Sequence, residues 1–477
     1  MKPTLPAYDR SKLTPGIVHI GLGNFHRAHM AVYLDDLFAR GLCHDWAILG
    51  AGVREGDARM RDALKAQDCL STVIELDPKG KSARRIGSMI DFLPVEPDNA
   101  ALIVAMSRPE IRIVSLTVTE GGYFIDAATG AFDPTHPEIQ ADAPNPHRTA
   151  FGAIIAALKA RRAAGIAPFT VMSCDNLPGN GHVTQDAVVG LARLSDPALA
   201  DWIKANVAFP NGMVDRITPA TGPRERAMAA SFGLAEDPVP VTCEPFRQWV
   251  LEDNFPSGRP AFEQVGVTLT PHVHAFEMMK IRILNGGHAT IAYPGGLMDI
   301  EYVHEAMAHP LILGLLNKVE TEEIIPYIAP VPDTDLGDYF RLIVERFSNP
   351  EVADTERRLC LDGSNRQPKF IVPSIRDALA AGGSVEGLAL VSALWCRYCA
   401  GTTESGATIA PNDPHWTELT ERAQAARHRP EAWLDLQAVY GELGRNPSFG
   451  KTFSGQLQQI WSRGVHATLE TYLSASR

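Results

Sequence analysis

The chain has 477 residues, too many for one ordinary hydrophobic core, so two or three domains are expected. Hydrophobic residues make up 45% and charged residues 21%, the balance of a globular protein, and the formal net charge of −12 argues against a general nucleic-acid or anionic-membrane partner. The opening MKPTLPAYDRSKLTP lacks an apolar leader core, and no apolar run reaches the roughly 18 residues of a membrane span, so a soluble, cytoplasmic protein is expected.

In chain order, Gly16–Ile20 reads as a short buried strand that runs into Gly21-Leu-Gly23-Asn24-Phe25-His26. A helical pattern through Leu34, Leu37 and Phe38 follows and ends at Gly41, and Trp46–Leu49 reads as the next strand. Strand, glycine turn, helix and strand are the opening of a dinucleotide-binding fold. The glycines let backbone approach a pyrophosphate, and the helix start supplies N–H donors. The third position of G-x-G-x-x-G holds His26, so the placement of the motif carries the reading. Further strands are expected at Ser71–Leu76, Ile111–Thr119 and Phe169–Ser173, with helices at Asn99–Met106 and Phe151–Ala164. The alternation implies a largely parallel sheet. The expected division is a Rossmann-type domain over 1–275 and a mostly helical domain over 276–477, with the active site where they meet. Long amphipathic runs at Val385–Ala400, Pro430–Gly444 and Thr452–Ser474 carry the helical reading.

The most informative stretch is Lys280-Ile-Arg-Ile-Leu-Asn285-Gly-Gly-His288. At about 100° per residue, Asn285 and His288 lie about 140° and 80° around a helix from Lys280, so all three face one side. Ile281, Ile283 and Leu284 would pack elsewhere. A desolvated lysine loses its charge and can take a proton from an alcohol. Amide and imidazole groups can donate to the oxygen that becomes negative. By itself the spacing also occurs on ordinary solvated helices.

Other features read as structural. The seven cysteines are dispersed, which suits a reducing compartment, and Cys396-Arg-Tyr-Cys399 sits in an apolar helical run without a second ligand pair. Tyr8-Asp-Arg-Ser-Lys12 precedes the first strand, where no short-chain dehydrogenase site can form. His304 and His309 are five apart, whereas a zincin helix needs i,i+4. No catalytic metal is expected. From the residues alone, Asp215-Arg216 reads as an ion pair, Asn176 as a turn residue, Asp57 as a surface acid and Glu120-Gly-Gly as a strand-end turn. His26 and His29 read as packing against the glycine turn.

Four co-linear segments resemble the long-chain, polyol-specific mannitol dehydrogenase family: GLGNFHRAH (21–29), VSLTVTEGGY (114–123) with MSCDNLPGNG (172–181), FPNGMVDRITP (209–219) and EMMKIRILNGGH (277–288). With CEPFRQWVLED (243–253) and DGSNRQPKF (362–370) the resemblance covers almost the whole chain. It implies zinc-independent, NAD-dependent oxidation of a secondary alcohol, D-mannitol to D-fructose and the reverse, with D-arabinitol and D-sorbitol as secondary substrates. Lys280 would be the general base, Asn176 and Asn285 the oxyanion donors, and Glu277 the gate of a proton path. His288 and Asp215 would orient the polyol, and Arg358 and Arg366 would bind its hydroxyls, although the second position is usually Lys in the family. For NAD, Gly21 and Gly23 would underlie the pyrophosphate, with Asn24, Phe25 and Glu120 beside it. Asp57 would hold the adenosine ribose, with Glu55 as a rival and Arg54 softening the exclusion of a 2′-phosphate. Asp57 lies about 34 residues beyond Gly23, against a usual interval of about 20.

Within the family the alternative is a hexuronate reductase, which the two arginines keep open. A 6-phosphogluconate-type oxidative decarboxylase shares the G-x-G domain, helical second domain and catalytic lysine. A non-enzymatic NAD-binding protein would be indifferent to loss of Lys280. The polyol branch of the family is often monomeric, and nothing in the sequence demands assembly.

Overall fold

The computed structural model describes residues 2–126 and 129–475. The chain forms two compact units, Met1–His274 and Ala275–Arg477. Among the described residues, eleven strands lie in the first: β1 (Pro15–Ile20), β2 (Ala47–Ala51), β3 (Ser71–Glu75), β4 (Ser82–Ile86), β5 (Met89–Phe92), β6 (Ile113–Leu116), β7 (Thr170–Ser173), β8 (Gly212–Asp215), β9 (Val241–Cys243), β10 (Gln248–Leu251) and β11 (Thr268–Leu269).

The main sheet has the order β5-β2-β1-β6-β7, and every neighbouring pair is parallel. This is the doubly wound order, in which the chain reverses its direction of travel across the sheet between β1 and β6. Ile17, Val18 and Ile20 are fully buried, because helices cover both faces of the sheet. Val114, Leu116, Phe151, Ile154 and Leu158 share one apolar cluster, and Ile17, Leu34, Phe38 and Trp249 share another. The chain thus adopts the expected architecture of a Rossmann-type domain followed by a mostly helical one.

Three local differences have physical causes. The strand expected at Ser71–Leu76 forms as β3, but in a separate mixed sheet of order β4-β3-β9. The Asp77-Pro-Lys-Gly80 turn folds β4 back antiparallel on β3, so this run never crosses over to the main sheet. The first helix is interrupted: His29, with φ −120° and ψ −95°, separates Asn24–Ala28 from Met30–Ala39. The stretch Pro430–Gly444 is broken into Glu431–Leu434, Gln437–Tyr440 and a 3-10 turn at Gly441–Arg445. There the Trp433 indole donates to the Tyr440 hydroxyl at 3.1 Å, and a β-carbon at Gly444 would lie 2.2 Å from the Leu434 carbonyl oxygen, so only glycine permits the fold-back.

In the second unit the apolar helix Glu386–Cys399 packs along the long helix Pro447–Ser474, and Trp395 meets Trp433 edge-on at 4.7 Å. The long helix is broken at Gly464, whose φ of 83° and ψ of 170° are non-helical. The Glu404 carboxylate restarts it by accepting from Val465 N at 3.0 Å, as a cap does. The ammonium of Lys318, on helix Pro310–Val319, donates to the carbonyls of Tyr472 and Ala475 at 3.0 and 3.2 Å. These are among the orphan acceptors that every helix end leaves. No described helix is long and apolar enough to cross a membrane.

Candidate active site

The carboxyl ends of β1 and β6 meet at the switch point, where open α/β sheets bind their ligands. Gly21 leaves β1 with φ 97°, and a β-carbon there would lie 2.1 Å from the Thr117 carbonyl oxygen. At Gly23, a β-carbon would meet nothing within 4 Å. Gly21 is therefore required by the neighbouring strand, and Gly23 leaves backbone open to a ligand. His19 joins the two strand ends from inside the sheet: its Nδ1 pairs with Ser115 Oγ at 2.8 Å, and its Nε2 with the Gly21 carbonyl at 3.1 Å and Thr117 Oγ1 at 2.9 Å.

His26 stacks on His19 at 3.4 Å, and burial holds it well below the ordinary imidazole pKa. Burial also pushes His19 and His29 down to about 3, so these rings are neutral packing elements at physiological pH. His29 Nε2 pairs with the Gln248 carbonyl at 2.9 Å, and Phe25 stacks on His29 at 4.8 Å. The Asn24 side chain is committed to the protein: its amide donates to the Pro219 carbonyl and Thr221 Oγ1, and its oxygen accepts from Arg27.

Asp57 opens the helix Asp57–Lys65 just beyond β2 and accepts from Arg54 N at 3.0 Å. A β-carbon at Gly52 would lie 2.3 Å from Asp57 Cβ, so the acid is seated on the strand end. Its long sequence interval is the length of the two-part helix and the turns on either side of β2. Glu55 is exposed. Glu120 opens the turn Glu120–Tyr123 directly after β6. Asn176 follows β7 in an exposed loop, and Asp215 ends β8 with 6% of its surface exposed. The adjacent Arg216 bonds the carbonyls of Ala28 and Glu244 and pairs with Glu75 at 2.7 Å.

Spacing gave no sign of Asp175. Its carboxylate accepts from Val118 N and Thr119 N, both at 3.0 Å, and from the Tyr123 hydroxyl at 2.6 Å. Burial pushes its pKa above the ordinary carboxylate value, against the pull of those three donors. Thr119 has φ 66° and ψ 163°, a region that costs a non-glycine residue about 1–3 kcal/mol. The one available signal was a carboxylate directly at the end of an apolar strand, before a turn-forming Asn.

In the second unit, Glu277 lies on helix Val273–Met279 with 5% exposure, and Lys280 begins the next segment with 6%. Lys280–Asn285 winds as a π-helix, not at the expected α-helical pitch. Its i→i+5 turn is wider, so the angles expected at 100° per residue do not apply, and such bulges are frequent at functional sites. A second π-turn, Glu320–Ile324, packs beside it. A β-carbon at Gly286 would lie 3.8 Å from Ile324 Cδ1, and one at Gly287 would lie 3.4 Å from Glu320 Oε1. Ile283 and Leu284 are buried as expected, whereas Ile281 is half-buried.

Asn285 is half-buried at the end of the π-turn. The His288 ring stacks on Phe347 at 4.1 Å. Burial, then the charges of Arg358, Arg346 and Arg366, hold His288 well below its ordinary pKa, so it is a neutral hydrogen-bonding group. The charges of both candidate substrate arginines thus act on this histidine. The Arg358 guanidinium forks onto the Asp354 carboxylate, and Arg366 donates to the Leu359 carbonyl at 3.0 Å. Both oxygens of Glu320 are buried without a hydrogen-bond partner, and burial raises its pKa well above the usual range. Its burial favours the neutral acid form beside the Lys280–His288 segment.

The discarded motifs have structural uses. The Tyr8 hydroxyl donates to Asp35 at 2.5 Å, and Cys396 and Cys399 are buried, with burial raising both thiol pKa values. Among the described residues no group of three or more His, Cys, Asp or Glu side chains is arranged to hold a metal ion.

Residues 15–264 match the model of the mannitol dehydrogenase Rossmann domain, and residues 272–461 that of the mannitol dehydrogenase C-terminal domain. A mannitol 2-dehydrogenase of Cereibacter sphaeroides is 70% identical over 474 residues, 99% of either chain. One from Aspergillus clavatus is 42% identical, over 98% of this chain and 95% of its own. Among solved structures, a ternary complex of Pseudomonas fluorescens mannitol 2-dehydrogenase with NAD and D-mannitol is 44% identical with a TM-score of 0.87, covering 100% of this chain and 97% of its own. A substrate-free D-sorbitol dehydrogenase is 36% identical with a TM-score of 0.91, covering 98% and 97%. The domain matches follow one another along the chain in the order of its two units, and the chain belongs to the mannitol dehydrogenase family.

Proposed function

We propose that this chain is an NAD-dependent polyol 2-dehydrogenase that interconverts D-mannitol and D-fructose in the cytoplasm. The observation that carries the reading is a buried Lys280 on a π-turn, followed by Asn285 and His288, in a chain 70% identical to a mannitol 2-dehydrogenase. The residues at the switch point fit the cofactor: Gly21 closes on Thr117, Gly23 leaves backbone accessible, and Asp57 stands at the end of β2 as a partner for ribose hydroxyls. Bound NAD would supply the hydride acceptor.

The chain supplies the rest. The Lys280 amine takes the proton of the reacting hydroxyl as the C–H hydride leaves, which makes the carbonyl without a net charge on the product. The amides of Asn176 and Asn285 donate to the oxygen as it becomes negative; being neutral, they do not compete for the proton. His288 and Asp215 orient the polyol, and Arg358 and Arg366 bind hydroxyls farther along it. Glu277, three residues before the base, passes its proton toward solvent. Gly21, Gly23, Asn24, Phe25 and Glu120 serve the cofactor, Asn24 and Phe25 by holding the turn.

The test is NADH absorbance with purified protein, NAD and separate polyols, then NADH with fructose or fructuronate. Mannitol and fructose should turn over fastest. Silence with polyols and fast reduction of fructuronate would move the chain to a hexuronate activity, for which the arginines around His288 would supply the carboxylate contact.

A further inference from the structure

We propose that Asp175 is a positioning residue of this reaction: its carboxylate holds the Val118–Glu120 segment in a backbone shape that Thr119 does not adopt unaided, and so fixes that segment and the adjoining Asn176 loop in one arrangement. The inference rests on reading Asn176 as an oxyanion donor.

The two Asp175 oxygens are used differently. Oδ1 accepts from Thr119 N, and Oδ2 accepts from Val118 N and the Tyr123 hydroxyl. The site therefore needs acceptors at both positions, which an ionised carboxylate provides and an amide does not. An asparagine would set an NH₂ group against one of the two backbone N–H donors, whichever way it turned. The strand ends around it are fastened as well. The Asn180 amide donates to the carbonyls of Ser173, Asp175 and Gly212 at 3.3, 3.1 and 2.8 Å, and its oxygen accepts from Gly212 N at 2.9 Å. Tyr123 also pairs with Ser173 Oγ at 2.6 Å. β7 is thus locked to β8 as it is already paired with β6, and Asp175 extends the lock past the end of β6 to the Val118–Thr119 backbone. Thr119 is β-branched and sits in a backbone region suited to glycine. Strain of this kind persists only where surrounding contacts over-determine it, and Asp175 supplies them.

This predicts a specific rescue. Wild type, Asp175→Asn, Thr119→Gly and the double variant are compared for kcat and KM with mannitol, for NADH affinity by fluorescence, and for Tm. Asp175→Asn should lower kcat by about 10–100-fold, the scale of a misplacement of about 1 Å, with a smaller change in KM. Thr119→Gly alone should stay within a few-fold of wild type. In the double variant glycine takes the same backbone shape without help, so most of the kcat should return. Wild-type kcat in Asp175→Asn, or a loss that Thr119→Gly does not repair, overturns the proposal. If Asp175→Asn does not fold, Tyr123→Phe removes one of the three hydrogen bonds and keeps the ring; unchanged kcat there overturns it too. A wild-type protein silent with every polyol and ketose removes the underlying reading, and this proposal with it.

Discussion

The end of the parallel sheet and the lysine segment solve the same problem in opposite ways. At the sheet end, side-chain positions are set by backbone that is fully engaged. Gly21 presses on Thr117, His19 bonds both strand ends, and Asp175 satisfies two N–H groups and a phenol. At Lys280 the backbone departs from regular winding, and the support beside it is Glu320, whose burial favours the neutral acid and whose oxygens have no hydrogen-bond partner among the described residues. One region spends hydrogen bonds to hold a strained shape. The other places irregular helix against irregular helix and leaves a polar group unsatisfied, which costs stability and suits a segment that must handle protons.

Four substitutions would break or sharpen that contrast. The largest effect belongs to Lys280→Ala, which should lower kcat by about 10²–10⁴-fold, the range of general-base catalysis, while NADH affinity, measured by fluorescence, survives. Nearly unchanged turnover would mean that the π-turn carries no base. Asn285→Ala should cost about 10²–10³-fold in kcat with little change in KM, as removal of an oxyanion donor does. A rise in KM alone would make it a ground-state contact.

Gly21→Ala tests the sheet end. With φ at 97° and a β-carbon 2.1 Å from the Thr117 carbonyl, it should destabilise the first unit by about 1–3 kcal/mol or more and weaken NADH binding, read by thermal melting with and without NADH. A Tm and an affinity unchanged from wild type would show that the turn tolerates displacement.

Glu320→Gln should have the smallest effect and an informative sign. Burial raises the Glu320 pKa in the folded protein, so the folded state keeps a proton that the unfolded chain releases. That contribution is present below the ordinary glutamate value of about 4.3 and is lost as pH rises toward the folded pKa. Glutamine holds no titrating proton, so the variant should lose less stability than wild type between about pH 4 and neutrality. The difference should amount to a Tm shift on the order of 1 °C. Parallel pH–Tm curves for the two proteins would place an ionised carboxylate at that position.

The sequence disclosed the features that repeat along the chain and concealed those that depend on partners far away in it. The glycine turn could be read because a buried apolar strand leads into it, and the parallel order because β1, β2, β6 and β7 are short apolar runs separated by helices. The π-winding at Lys280 could not be read, since the same nine residues satisfy an α-helical pattern and the packing partner, Glu320–Ile324, lies some way along the chain. Asp57 looked too distant from Gly23 because the break at His29 and the turns around β2 lengthen the route without moving the acid from the strand end. Asp175 was invisible for a similar reason: its three donors lie more than fifty residues earlier. Pro430–Gly444 has helical periodicity but folds back on itself, because Gly444 lets the chain come against the Leu434 carbonyl.

The end of the long helix is tied to the same helix that leads to Glu320. Lys318 grips the carbonyls of Tyr472 and Ala475 and lies over the Tyr472 ring at 4.5 Å, and two residues later comes the acid that faces Gly287. The last turn of the long helix is thus one short helix away from the residue that shoulders the lysine segment. A change that frees Tyr472 or Ala475 from Lys318 therefore pulls on a lever with its far end beside the chemistry.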